Sequence, residues 1–162
     1  MTKMEFEIKQ QPEFLKSSLD FNMPVLIKLV NALKERKPKG IYLAARGTSD
    51  HAGIYFKYIE EALIGIPVAL AAPSVITLYG GKPDFSDYLV IGISQSGAAE
   101  DVNAVINRAK ECGAVTLTIT NTLGSLLAKN ADYHLYCNVE KEESVAATKT
   151  FGSDLYLIAN FV

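Results

Sequence analysis

Ile91-Gly92-Ile93-Ser94-Gln95-Ser96-Gly97 is a buried-type apolar run that ends in a small polar turn. Residues 98–112, which follow, read as a helix with Ala104, Val105, Ile106 and Ala109 on its apolar side. A strand that delivers Ser-Gln-Ser-Gly to a helix N-terminus gathers hydroxyls, an amide and free backbone N–H groups around one point. The helix dipole adds partial positive charge there, so the turn is suited to an anion, a phosphate above all. The alternative is that Ser94 and Ser96 simply cap the helix.

The same pattern repeats on both sides of that turn. Short apolar runs at 41–45, 67–72, 88–93, 115–120 and 133–137 alternate with helical segments at 48–64, 98–112 and 123–130 and a shorter crossover at 74–79. Apolar runs of this kind are strands buried on both faces, and their alternation with helices argues a parallel sheet. The predicted fold is a three-layer α/β/α domain with a five-stranded parallel sheet.

Ahead of the sheet, residues 5–21 read as a helical arm broken or kinked at Gln11-Pro12, because proline removes a donor within a helix. Pro24 suits the first turn of a second helix, carried by Val25, Leu26, Leu29, Val30 and Leu33 and ending at Lys37. The basic stretch Lys34-Glu35-Arg36-Lys37 is either a phosphate-seeking patch or a solvated C-terminus that complements the helix dipole. The pattern changes after Pro38-Lys39-Gly40, which divides the chain into an N-terminal helical arm, 1–38, and a domain over 39–162. Leu155, Leu157, Ile158, Phe161 and Val162 form a helical pattern with no Gly, Asn or Pro stop, so the chain is expected to continue beyond Val162.

At 162 residues the chain suits one domain with a sizeable core. Its 49% hydrophobic and 21% charged residues are ordinary for a globular protein, and a net charge of −2 offers no attraction to nucleic acid or an anionic membrane. No apolar run reaches the ~20 residues that span a bilayer. Met1-Thr2-Lys3-Met4-Glu5-Phe6-Glu7 lacks the apolar core of a signal peptide, so the expected location is cytoplasmic. Cys112 and Cys137 have no metal-ligand spacing and no acid/base neighbour in sequence; both read as core residues.

Open α/β sheets bind ligands beyond the carboxyl ends of their strands, where the strand order reverses. In the order 2-1-3-4-5 that point lies between the first and third strands. The first ends in Arg46-Gly47-Thr48-Ser49-Asp50-His51 and the third in Ser94-Gln95-Ser96-Gly97, so both hydroxyl-rich turns are expected to face one crevice. Gly47 allows a tight turn or a close approach to a ligand, and Thr48 and Ser49 either donate to a ligand or cap the next helix. The G-x-G-x-x-G and G-x-x-x-x-G-K-[ST] spacings are absent.

A third polar segment, Glu142-Glu143-Ser144-Val145-Ala146-Ala147-Thr148-Lys149-Thr150-Phe151, opens the terminal helix. Thr148 and Lys149 are placed to reach a ligand. Glu142 or Glu143 is an acid/base if desolvated, or else part of a solvated acidic turn capped by Ser144 or Thr148. Asp50 and His51 offer a proton-transfer pair or a structural step, and His134 has no visible partner. Ile54, Tyr55, Tyr58, Leu63 and Ile64 exceed what one helix face must bury, which suits either a core or a subunit contact.

Arg46-Gly47-Thr48-Ser49-Asp50-His51-Ala52-Gly53, Ser94-Gln95-Ser96-Gly97 and Ser144-Val145-Ala146-Ala147-Thr148-Lys149 together resemble the three signatures of the sugar isomerase (SIS) domain family. Their order and spacing are similar to the first of two such domains in the isomerase half of glucosamine-6-phosphate synthase, and the likeness covers essentially the whole chain. It implies a flavodoxin-like fold in which Ser94, Gln95 and Ser96 hold a substrate phosphate, with Gly97 beside them in the substrate-binding site. Gly47, Thr48 and Ser49 would line the sugar, and Val145 and Ala146 would approach it by backbone.

The synthase pattern has Glu-Thr where this chain has Ala98-Ala99, and Ser where Ala147 stands. The segment from Ser144 to Phe151 looks closer to type II glucosamine-6-phosphate deaminases and fructosamine-phosphate deglycases. By that resemblance the protein is an enzyme acting on amino-sugar phosphates with no metal or organic cofactor. Its partners would be a phosphorylated sugar substrate, a second SIS domain that supplies the catalytic acid/base and lysine groups, and a second copy in a homodimer. A phosphosugar-sensing domain of a regulator, without catalysis, is the alternative; residues 1–39 are too short and too weakly basic to read DNA.

Overall fold

Five strands, β1 (Gly40–Ala44), β2 (Val68–Leu70), β3 (Tyr88–Ile93), β4 (Val115–Thr120) and β5 (Tyr133–Tyr136), pair in the order β2-β1-β3-β4-β5, every pair parallel. The computed structural model describes residues 2–144 and 146–162. Helices α1 (Lys3–Arg36), α2 (Thr48–Leu63) and α6 (Lys149–Phe161) cover one face of the sheet. The short α3 (Ser74–Thr77), α4 (Glu100–Glu111) and the short α5 (Leu126–Asn130) lie on the other. The three-layer α/β architecture and the strand order are those expected from the sequence.

The period of two along each strand builds two cores. Ile41, Leu43, Leu89, Ile91, Ile93, Leu117 and Ile119 face the α1/α2/α6 side, where Leu26, Leu29, Phe56, Leu157 and Ile158 meet them. Ala44 and Val90 face α4, which buries Val102, Val105, Ile106 and Ala109 against them, with Leu127 of α5. Gly92 belongs to this second face: a Cβ there would stand 2.9 Å from Leu127, 3.1 Å from Val102 and 3.2 Å from Ile106, so its absence lets α4 and α5 close on the sheet. The threonines of β4 are fully buried, and their hydroxyls are satisfied: Thr118 donates to Leu127 O at 3.4 Å and Thr116 to Asp132 at 2.8 Å.

The N-terminal arm differs from the sequence reading. The predicted break at Gln11-Pro12 and the predicted new start at Pro24 are both absent; α1 is a single helix that carries both prolines inside it. Each proline forfeits one backbone hydrogen bond, a local cost of about 3 kcal/mol. Tertiary contacts along the helix outweigh it. Thr2 and Glu5 form a reciprocal capping box at its start, and Leu26 and Leu29 enter the main core. At the far end Arg36 donates to Gly113 O, beside the amino end of β4. The basic stretch therefore closes a helix C-terminus at the opposite edge of the sheet from the strand carboxyl ends.

Asn22 explains why α1 docks where it does. β5 is an edge strand, and the Asn22 side chain supplies the hydrogen bonds a neighbouring strand would make. Its Nδ2 donates to Tyr136 O at 2.7 Å, and its Oδ1 accepts from Tyr136 N at 2.8 Å. The same Nδ2 reaches Ser18 O at 2.7 Å within the helix. Buried Ser18 and Ser153 pair at 3.1 Å alongside, and Ser153 donates to Cys137 O at 2.8 Å, which ties α1, α6 and β5 together. Asn22→Ala leaves Tyr136 N without a partner and Tyr136 O with only the Ser18 hydroxyl at 3.4 Å, and a loss of about 2 kcal/mol of unfolding free energy is expected in urea titrations. A change below about 1 kcal/mol would show that the contact is incidental.

Candidate active-site cleft

The turns after β1 and β3 and the segment after β5 enclose an open cleft of about 300 Å³. Thr48 and Ser49 reach it from the first turn of α2, and Ser94, Gln95 and Ser96 from the turn after β3. The two hydroxyl-rich turns thus share one crevice, at the point where strand order reverses. Gly47, Gly97 and Ala146 do not line it. Gly47 is the N-cap of α2, and Ala146 is exposed in the loop before α6. Val145 lies outside the described residues.

The backbone of the Ser94–Gly97 turn is anchored. Ser94 N donates to Ile119 O at 3.1 Å, Asn121 N to Gln95 O at 2.8 Å and Gly97 N to Ser94 O at 3.1 Å. Gly97 takes φ 65°, and a Cβ there would lie 2.1 Å from Ser125 Oγ, so only glycine lets the turn sit against the start of α5. The side chains, by contrast, are uncommitted. Thr48, Ser49, Ser94 and Gln95 make no side-chain hydrogen bond among the described residues.

Simple capping does not account for the serines. α4 starts after Ala99 and α2 after Gly47, and neither helix has a side-chain cap. Among the described residues, Ser96 Oγ accepts only from Ala98 N, at 3.3 Å. Two helix N-termini therefore open toward the cleft with unsatisfied N–H groups.

The third segment is built differently from its sequence reading. Glu142 borders the cleft, and its carboxylate caps α6 from outside. Oε1 accepts from Thr148 N at 2.5 Å, Thr148 Oγ1 at 2.9 Å and Lys149 N at 2.7 Å, and Oε2 accepts from Thr150 Oγ1. It is neither a solvated turn residue nor an uncommitted base. Glu143 pairs with Lys3 at 2.8 Å on the surface.

Lys149 does not reach the cleft. It is 2% exposed and turns toward α1, donating to Gln10 at 3.2 Å and lying 3.9 Å from Glu7 and 5.5 Å from the Phe14 ring centroid. Glu7 in turn accepts from Glu143 N at 2.6 Å and from Ser144 N at 3.3 Å, and also from Ser144 Oγ. The Ser144 hydroxyl, ahead of the two amides, holds the Glu7 carboxyl below its ordinary range.

Asp50 and His51 do not line the cleft, and His51 is exposed. His134 does have a partner: its Nε2 lies 2.9 Å from Thr120 Oγ1, and burial lowers its pKa. Cys137 has an acidic neighbour in space, donating to Asp154 Oδ1 at 3.2 Å, and burial pushes its thiol pKa up. Tyr58, Leu63 and Ile64 are exposed, whereas Ile54 and Tyr55 are half-buried.

Two charged residues border the cleft with no role assigned from the sequence: Arg46, part of the turn after β1, and Asp154. Arg46 sits at the rim, bound to Asp101 Oδ2 at 2.7 Å. Asp154, from the second turn of α6, lines the cleft while only 3% exposed.

Burial drives the Asp154 pKa up to about 7, with Cys137 opposing and the Glu142 charge reinforcing the shift. A carboxyl whose folded pKa exceeds its unfolded one stabilises below the unfolded value and loses that contribution as pH rises toward the folded one. Between about pH 4 and 7, the stability of the wild type relative to Asp154→Asn should therefore fall, by at most about 1.4 kcal/mol per pH unit. Urea melts of both proteins across that range test it. A pH-independent difference would mean that Asp154 ionises normally.

The SIS domain family model matches residues 36–162. Glutamine–fructose-6-phosphate aminotransferase (isomerizing) of Halobacterium salinarum is 36% identical over 155 residues, covering 92% of this chain and 26% of its own length. A provisionally assigned phosphosugar isomerase of Silicibacter pomeroyi superimposes with a TM-score of 0.93 at 33% identity, covering 99% of this chain and 50% of that one. The C-terminal domain of glucosamine-fructose-6-phosphate aminotransferase from Francisella tularensis gives a TM-score of 0.84 at 28% identity, covering 98% and 46%. The chain thus spans about a quarter of that curated relative and about half of each structure. With its strand order, its two open turns and these matches in agreement, the chain belongs to the SIS domain family.

Proposed function

We propose that the cleft binds the phosphate of a sugar phosphate, and that the chain is the phosphosugar-binding domain of an enzyme acting on amino-sugar phosphates as an aldose–ketose isomerase, deaminase or aminotransferase. The observation that carries this reading is the pair of uncapped helix N-termini, those of α2 and α4, opening on one cleft beside uncommitted hydroxyl and amide side chains. A phosphate dianion needs many donors and positive potential, and needs them fixed before it arrives.

In this reading the Ser94 and Ser96 hydroxyls and the α4 amides hold the phosphate, while Ala99, having no polar side chain, leaves the helix end open to it. Gln95, Thr48 and Ser49 then face the sugar. The backbone anchors at Ile119 and Asn121 keep the donors in place, so little ordering is required on binding. The names borne by the aminotransferase relatives pair a hexose 6-phosphate with amino-group transfer, which supports a sugar-phosphate ligand and amino-sugar chemistry. The groups that move protons in the reaction are assigned to a second domain of the same kind, and a second copy of the chain is proposed to complete the assembly.

Calorimetric titration with glucosamine 6-phosphate, glucosamine and inorganic phosphate checks the reading. The sugar phosphate should bind, glucosamine should not, and Ser94→Ala should weaken binding by about tenfold or more, the effect of losing one charge-assisted hydrogen bond. Equal affinity for glucosamine, or an unchanged Ser94→Ala titration, would remove the phosphate from this turn.

A further inference from the structure

Three carboxylates stand in or near the cleft on its α6 side, and their hydrogen bonds separate them. Both Glu142 oxygens are engaged by donors at the start of α6. Both Glu7 oxygens are engaged by the loop at Glu143 and Ser144. Asp154 differs: among the described residues its one hydrogen bond is the weak donation from Cys137 Sγ to Oδ1 at 3.2 Å. No fully buried side-chain nitrogen or oxygen among those residues lacks a partner. Oδ2 of Asp154, which has none, therefore keeps contact with the solvent of the cleft.

Folding alone gives little reason for an acid here. Asp154 is the sixth residue of α6, beyond the first turn where a carboxylate gains from the helix dipole. Burying a carboxyl whose only donor is a thiol is unfavourable unless a stronger donor arrives. Among the described residues no cation takes that place. Lys149 is turned away to Gln10 and Glu7, and Arg46, on the cleft rim, is held by Asp101.

The distance to the phosphate turn is also suitable. Ser94 N bonds to Ile119 O on β4, and Cys137 N bonds to Thr120 O on β4. Cys137 is thus two strand spacings from Ser94, about 10 Å, a span covered by a hexose phosphate and one hydrogen bond.

We propose, resting on the phosphosugar reading above, that Asp154 Oδ2 receives the ammonium group of an amino-sugar phosphate and so selects amino sugars over neutral hexose phosphates. The ammonium supplies the strong donor and the countercharge that the protein withholds. Cys137, whose thiol burial keeps protonated, goes on donating to Oδ1, and the fully bonded Glu142 stays with α6.

The test is calorimetry on the 162-residue chain near pH 7.5 with glucosamine 6-phosphate, glucose 6-phosphate and N-acetylglucosamine 6-phosphate. Glucosamine 6-phosphate should bind about tenfold more tightly than either neutral sugar phosphate, and Asp154→Asn should reduce that preference to about threefold or less. The three-ligand comparison on the wild type needs no variant and stands even if Asp154→Asn fails to fold. Equal binding of the three sugar phosphates, or a preference that survives Asp154→Asn, overturns the assignment while leaving the phosphate site intact. Failure of all three to bind overturns the phosphosugar reading itself.

Discussion

The parallel pairing of β1 with β3, residue against residue from Gly40–Tyr88 to Ala44–Gly92, is the constraint on which the site depends. Parallel strands bring all their carboxyl ends to one edge of the sheet, and the reversal of order between these two sends their following helices to opposite faces. α2 leaves toward the face that carries the larger core and α4 toward the other. Neither helix can cover the other's first turn, so a crevice opens between them. Both helix N-termini then point positive ends and unsatisfied N–H groups into the same space. Gly92 permits this by letting α4 approach the sheet closely at the residue pair just before the turn.

The α1 helix has a structural role that bears on the cleft from a distance. Through Asn22 it occupies the backbone groups of edge strand β5, and through Ser18 it meets Ser153 of α6. Its amino-terminal half then grips the loop after β5, because Glu7 takes the Glu143 and Ser144 amides. That loop in turn supplies Glu142, which caps α6 and carries one wall of the cleft. A chain of hydrogen bonds thus runs from the long helix to the wall facing the phosphate turn. It explains why a helix with two internal prolines stays whole: its partners span most of its length.

The cleft is electrically divided. Its α2 and α4 side offers helix amides and hydroxyls and suits an anion. Its α6 side carries two carboxylates, one fully bonded and one with a thiol as its donor. Burial of the second reinforces the contrast, since a carboxyl of this kind ionises readily only when a donor or a cation joins it. A ligand with a phosphate at one end and an ammonium at the other would satisfy both sides at once.

Much of this was legible in the sequence, because the sheet is made of local patterns. Strands β3 and β4 fall on the same residues that their apolar runs predict, and the parallel pairing follows from alternation with helices. Thr48, Ser49, Ser94, Gln95 and Ser96 could be singled out because a turn between a strand and a helix has one outlet, at the strand's carboxyl end.

Contacts across the fold were not legible. Pro12 reads as a helix break because proline's cost is local, while the contacts that outweigh it come from β5 and α6, more than a hundred residues later. Lys149 reads as a ligand contact from its place at a helix start, yet its direction is decided by Glu7 and Gln10 on α1. Asp154 and Cys137, 17 positions apart, carry no joint signal in one dimension. Local order therefore determined the elements and the turns that face the cleft. Only tertiary packing decided which charged groups enter it, because a side chain turns toward the partner that satisfies it, and that partner comes from another part of the chain.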